Sequence, residues 1–169
     1  RIEAGELDVH FEDLDLSNAI ASSIDIITVQ AEKAGITIEN HVVDELVVKA
    51  DRLLLNQVLL NLLSNAVKYN CPEGNITIQS GTDGDGMMQV SITDTGMGIP
   101  EDQIGYLFQS FNRLGAENTA IEGTGIGLVI TEKLLKAQNG DIQVASVVDE
   151  GSTFSFKLPL SDQSDASGV

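Results

Sequence analysis

Apolar residues along the chain follow two regimes, one recurring every three or four positions and the other every two. From Ile20 through Ile24, Ile27 and Ala31 the spacing predicts a helix, capped by Asp15 or Ser17 and stopped by Gly35. A second helix is expected from its N-cap Asp51 to about Tyr69, with Leu55, Val58, Leu59, Leu62 and Ala66 in one stripe and Pro72 and Gly74 beyond its end. A short helix should start at Pro100 and run through Ile104 to Phe108. Another should open at Gly125, run through Leu128, Ile130, Leu134 and Leu135, and close near Asn139 and Gly140. The two-residue period marks strands at 7–11, 76–80, 90–93, 142–147 and 153–158, and two further short strands are read at 36–39 and 46–49. Residues 109–123 carry no sustained period and read as a mobile loop, while 161–169 read as a solvated tail. The pattern alone gives an α/β chain of one domain.

Composition narrows what such a domain can do. The 169 residues suffice for a single core that buries about two-thirds of the unfolded surface, without disulfide or structural metal. Cys71 stands alone and no Cys/His cluster has zinc spacing, which suits a reducing, cytosol-like compartment. No signal peptide is visible, and the most apolar stretch, 53–67, is interrupted by Asn56, Gln57, Asn61 and Asn65, far short of the roughly 20 apolar residues of a membrane span. A net charge of −17 opposes binding to polynucleotides and anionic membrane surfaces. It does not exclude a single nucleoside triphosphate, which backbone N–H groups and one divalent cation can hold. The acidic turn GTDGDG, 81–86, lacks the spaced ligands and distal Glu of an EF-hand loop, so calcium is set aside.

Three segments carry residues unusual for their positions. Gln57, Asn61, Asn65 and Lys68 share one face of the second helix, a polar seam beside a leucine-rich stripe. Asn is a poor mid-helix residue, and a solvated face would explain it as readily as a role for its carbonyl oxygens on a hard cation and its amides on phosphate. DTGMGIP, 94–100, follows a strand directly, which sets a carboxylate where it can accept a hydrogen bond from an exocyclic amine; an ordinary glycine-rich turn would look similar. GTGIGL, 123–128, precedes a helix, where glycines permit a nest of N–H groups for phosphate.

In this order, with an unpatterned loop between the glycine motifs, the segments resemble the catalytic and ATP-binding domain of sensor histidine kinases over about residues 7–159. QVLLNLLSNAVKY resembles the asparagine box of that family, DTGMGIP its first glycine box, LFQSFNRLG its phenylalanine box, GTGIGL its second glycine box, and GSTFSFKLP its closing hairpin. The resemblance implies a two-layer α/β sandwich of the histidine kinase ATPase (Bergerat) type, a mixed sheet covered on one face by three helices. It implies ATP and Mg²⁺ as ligands. Asn61 and Asn65 would hold magnesium and phosphate, and Lys68 and Tyr69 would lie along phosphate and ribose. Asp94 would accept the adenine amino group, Thr153 would reach the base through water, and Gly96, Met97, Gly98 and Ile99 would border it. Gly123, Thr124, Gly125, Ile126 and Gly127 would receive the triphosphate, with Leu128 packing behind them. Phe108 and Phe111 would anchor an ATP lid spanning about 105–123, and Arg113 would meet phosphate or the partner domain. Asn61, Lys68 and Arg113 are thus the residues expected to act on the transferred phosphate.

The implied activity is transfer of the ATP γ-phosphate to a histidine on a separate dimerisation domain of the same parent kinase, with a response regulator served indirectly. Residues 1–6 resemble the end of that domain's second helix, which puts the acceptor histidine upstream of Arg1; 7–160 would be the catalytic domain, monomeric as a fragment. The parent kinase is open to membrane anchoring, although this part makes no direct membrane contact. His10 and His41 lie outside any helical histidine box and are read as surface residues. Two other readings stand beside this one. ATPases of the same fold place a general-base Glu four residues before the position of Asn65, but here that position is Asn61, whose amide cannot abstract a proton. A nucleotide-sensing docking module without phosphotransfer would be expected to have lost some of the boxes. The sequence has neither a GxxxxGK[ST] phosphate loop nor a GxGxxG after the first strand of a βαβ unit.

Overall fold

The computed structural model describes residues 8–42, 46–82, 86–105, 107–108 and 119–161, with side chains from Leu128 onward in the last segment. In chain order the elements are β1 (Glu12–Asp15), α1 (Leu16–Ala34), β2 (Thr37–Asn40), β3 (Val47–Ala50), α2 (Arg52–Lys68), β4 (Asn75–Thr82), β5 (Met87–Asp94), α3 (Glu101–Ile104), α4 (Thr119–Ala137), β6 (Asp141–Val147) and β7 (Gly151–Pro159). Five strands form one mixed sheet in the order β2-β4-β5-β7-β6, parallel between β2 and β4 and antiparallel elsewhere. The helices α1, α2 and α4 cover one face of it, giving the expected two-layer sandwich.

Strand alternation decides what enters the interface between the layers. Ile76 and Ile78 of β4, Met88, Val90 and Ile92 of β5, and Phe154, Phe156 and Leu158 of β7 are buried there. They meet Ile20 and Ile27 of α1, Leu55, Leu59, Leu62 and Leu63 of α2, and Leu128, Leu134 and Leu135 of α4. The intervening positions carry hydroxyls and amides on the other face, where Ser91 pairs with Ser155 and Thr93 with Thr153, each at 3.0 Å.

The long helices start where side chains can satisfy their first N–H groups. Asp15, rather than Ser17, caps α1 by accepting from the N–H groups of Ser17 and Asn18. Asp51 caps α2 by accepting from Leu53 and Leu54 and also takes the N–H of His10, while its own N–H donates to Gln138 Oε1 at 2.8 Å. Gln138 is fully buried and donates onward to Leu134 O, so the start of α2 is tied to the end of α4.

Three expectations are corrected. The first described strand lies at Glu12–Asp15, and residues 8–11 of the strand expected at 7–11 are not in a strand: β3 ends at Ala50, opposite Glu12, so its ladder with β1 stops there. A small second sheet, β1-β3, results, joined to the residues just after β7 by a Val48–Leu160 bridge and by Ser161 N–H donating to Val47 O. The short helix ends at Ile104, capped at Gly105, and a tight turn carries Leu107 into the core, so Phe108 is not helical. Helix α4 begins at Thr119, six residues before the expected Gly125. Ala120, Ile121 and Glu122 extend it backwards, and the glycines Gly123, Gly125 and Gly127 lie inside the helix, each weakening it by about 1 kcal/mol relative to alanine. The loop expected at 109–123 otherwise falls outside the described residues, as do the tail at 162–169 and residues 1–6.

Candidate functional site

The alternation that buries Met88, Val90 and Ile92 carries Asp94 inward as the last member of the same row, only 7 % exposed. A buried carboxylate needs compensating donors. Both come to a single oxygen: Gly96 N–H donates to Asp94 Oδ1 at 2.9 Å and Ser152 N–H at 3.2 Å. Among the described residues Oδ2 accepts no hydrogen bond and is left to receive one. Burial holds the carboxyl above the ordinary carboxylate value, and the two N–H groups offset only part of that rise.

The turn after Asp94 is clamped from both sides. Met97 N–H donates to Tyr69 O at the end of α2, and Met97 O accepts from Asp149 N–H in the β6–β7 turn. Gly96 passes so close to Tyr69 O that a Cβ would collide with it, and Gly98, at φ 74°, would thrust a Cβ into Val147 O. Close passage of protein backbone thus already requires glycine at both positions. Ile99 is buried, and its N–H donates to Ser146 Oγ. Below the turn, Thr95 Oγ1 donates to Asn70 Oδ1 and receives Asn75 N–H, while the exposed Cys71 Sγ donates to Thr95 O.

Helix α2 therefore borders the site along much of its length. Its C-terminal end meets the first glycine box through Tyr69, whose buried hydroxyl has no partner among the described residues and whose ring centroid lies 5.4 Å from Lys68 Nζ. One turn before Tyr69, Asn65 is half-buried, and among the described residues its amide makes no hydrogen bond. One turn earlier again, Asn61 receives Gln57 Nε2 at 3.2 Å on its Oδ1 and donates Nδ2 to Thr131 Oγ1 of α4 at 3.1 Å. That bond sets α4 beside the asparagine seam, with Gly127 one turn before Thr131 on the same helix face.

Nine of the expected site residues adjoin: Asn61, Asn65 and Lys68 on α2 and Tyr69 at its C-terminal cap, with Asp94, Gly96, Met97, Gly98 and Ile99 at the end of β5 and on the turn after it. Leu128 packs in the core, as expected. Phe108 is half-buried against that core. Phe111 and Arg113 lie outside the described residues, and Thr124 and Ile126 are described only as backbone in α4. Thr153 is corrected. Its side chain pairs with Thr93 on the helix-free face, away from Asp94, because residues adjacent along a strand point to opposite sides. The residue opposite Asp94 is Ser152, which was missed. Ser146 and Thr131 were missed too, since only strand pairing and helix packing reveal what they touch. Among the described residues no group of three or more His, Cys, Asp or Glu could hold a metal, and no helix is long and apolar enough to cross a membrane.

Known proteins with related chains bear on this arrangement. The chain is 33 % identical over 169 residues to the Non-motile and phage-resistance protein of Caulobacter vibrioides, a match covering 96 % of this chain and 20 % of that one. It is 45 % identical over 111 residues to the adaptive-response sensory kinase SasA of Synechococcus elongatus, covering 66 % of this chain and 28 % of SasA. A crystal structure of full-length ShkA in complex with AMPPNP superposes with a TM-score of 0.81 at 26 % identity, over 94 % of this chain and 33 % of that one. The chain thus spans less than a third of the length of these two relatives. Residues 50–162, which hold the asparagine seam, Asp94 and the glycine turns, match the family described as Histidine kinase-, DNA gyrase B-, and HSP90-like ATPase, and the chain belongs to that family.

Proposed function

We propose that this chain binds ATP with Mg²⁺ and transfers the γ-phosphate to a histidine on a separate dimerisation domain of its parent protein, as the phosphotransfer domain of a sensor histidine kinase. The observation that carries the reading is Asp94, a buried carboxylate with one oxygen held by two backbone donors and the other open. An ionised carboxylate only accepts hydrogen bonds, so Oδ2 suits the exocyclic amino group of adenine. The orphaned Tyr69 hydroxyl and the uncommitted Asn65 amide continue along α2 as partners for ribose and phosphate. These donor and acceptor sets fit a nucleotide. They fit a hard cation through amide oxygens: Asn65 Oδ1 and the remaining lone pair of Asn61 Oδ1, one helical turn apart, would hold magnesium, which neutralises charge on the phosphates.

Transfer forms a bond from an imidazole nitrogen to Pγ and breaks the bridging Pγ–O bond, with ADP leaving as the electron-pair acceptor. The chain's residues contribute position and polarity. Asp94 fixes the base, α2 lays out the phosphates, and Gly123, Gly125 and Gly127, which weaken the start of α4, would offer backbone N–H groups to the triphosphate once that first part of the helix opened. Lys68 and Arg113 supply positive charge for the moving phosphate. Asn61 stands where a hydrolytic relative needs a general base, which favours transfer over steady hydrolysis. The test is to mix the purified chain with γ-labelled Mg-ATP and a separate histidine-bearing dimerisation domain. Acid-sensitive, base-stable label is expected on the added domain alone. Label on this chain, or rapid ATP hydrolysis without the partner, would overturn the proposal.

A further inference from the structure

One hydroxyl behind the base-reading carboxylate makes three contacts that tie the turn at Ile99 to the start of β7. Ser146 Oγ, near the end of β6, lies 2.7 Å from Ile99 N, 2.9 Å from Gly151 O and 2.7 Å from Ser152 Oγ. Ile99 belongs to the turn that follows Asp94, and Ser152 is the strand partner of Asp94 and donates its N–H to it.

The protons in this cluster can be assigned from chemistry alone. The backbone N–H of Ile99 can only donate, so Ser146 Oγ accepts there. Gly151 O can only accept, so Ser146 spends its single proton on that carbonyl. The remaining contact is a hydrogen bond only if Ser152 O–H donates to Ser146. Ser152 is 7 % exposed and lies on the same face of the sheet as Asp94. With its proton committed, it offers lone pairs alone. The pocket wall then presents two acceptors, Asp94 Oδ2 and Ser152 Oγ, and no hydroxyl donor from either residue.

We propose that Ser146 is a positioning and specificity-determining residue: by binding the Ser152 proton it makes the base site accept-only, so that it selects a ring amino group, directly or through water, over a ring carbonyl. The inference rests on the reading of Asp94 as the adenine contact. Replacing Ser146 by Ala frees the Ser152 hydroxyl to rotate and donate, which gives a carbonyl-bearing base a partner it lacks in the wild type. Ser146→Thr keeps the hydroxyl.

The test compares Mg-ATP with Mg-ITP, which presents a carbonyl where ATP presents the amino group, by titration calorimetry on the 169-residue chain. Wild type is expected to prefer ATP. Ser146→Ala should lower the ATP-to-ITP affinity ratio about tenfold, the scale of one hydrogen bond gained or lost, and Ser146→Thr should restore it. Ser152→Ala removes the second acceptor without touching the Ile99 and Gly151 contacts, and it should lower the ratio too; it decides the matter if thermal melting shows that Ser146→Ala does not fold. A wild type that discriminates alongside a folded Ser146→Ala that discriminates equally overturns the role of Ser146 and leaves the Asp94 reading intact. A wild type that binds ATP and ITP equally overturns both.

Discussion

At the scale of single residues, Asp94 gathers opposing demands: the core row that buries it makes its charge costly, and the open oxygen is useful only while charged. Because burial raises its pKa, the folded protein takes up this proton at higher pH than the unfolded chain does. As pH falls through the raised value, the fold gains relative stability from this residue while the base loses its acceptor. ATP affinity is therefore expected to weaken on acidification before ordinary carboxylates titrate. Asp94→Asn should bind ATP at least about tenfold more weakly at neutral pH and should lack that acid limb, which titrations across pH would show. Asp94 was legible as a carboxylate at a strand end. Ser152 was equally legible and overlooked: Ser152, Phe154, Phe156 and Leu158 alternate as one inward row, which turns Thr153 outward. The role of Ser146 was not legible, since its partners come from the turn at Ile99 and the start of β7, which only the folded sheet brings together.

Among the elements, the helices whose caps are written beside them were the most readable. Asp51 shows why: burial pushes its carboxyl up, yet donations from His10, Leu54 and Leu53 outweigh that and leave it below the ordinary value. Such a group stabilises the fold above the unfolded pKa, and the contribution is lost as pH falls through the lowered folded value. Asp51→Ala should cost about 1–2 kcal/mol by denaturant melts at pH 7, and much less when the melts are repeated near pH 2, where the wild-type cap is also weakened. Elements defined by a distant partner were less readable. The position of β1 follows from where β3 stops, and the start of α4 follows from helix formers that lie ahead of three glycines, a composition that reads equally as loop. The first is not encoded within its own segment, and the second is encoded there only ambiguously.

For the molecule as a whole, 26 acidic against 9 basic residues leave a fold that repels itself. Added salt screens that repulsion, so the thermal midpoint is expected to rise as NaCl goes from about 10 mM to about 150 mM, where the Debye length falls from roughly 30 to 8 Å. An unchanged or falling midpoint would show that specific ion pairs outweigh the net charge. The two-layer plan was legible because helical and strand periods occur in separate segments, whereas the strand order was not, since pattern says which face is buried and nothing about which strands adjoin. That order has a consequence for how the chain acquires its shape during synthesis. The last described strand, β7, does not close an edge; it is inserted between β5 and β6 and pairs with both along almost its whole length. Until it emerges from the ribosome, β5 has a bare edge of N–H and C=O groups beside an apolar row, a template for pairing with another nascent chain. Everything made earlier, the asparagine seam and Asp94 included, waits on β7 for a finished site.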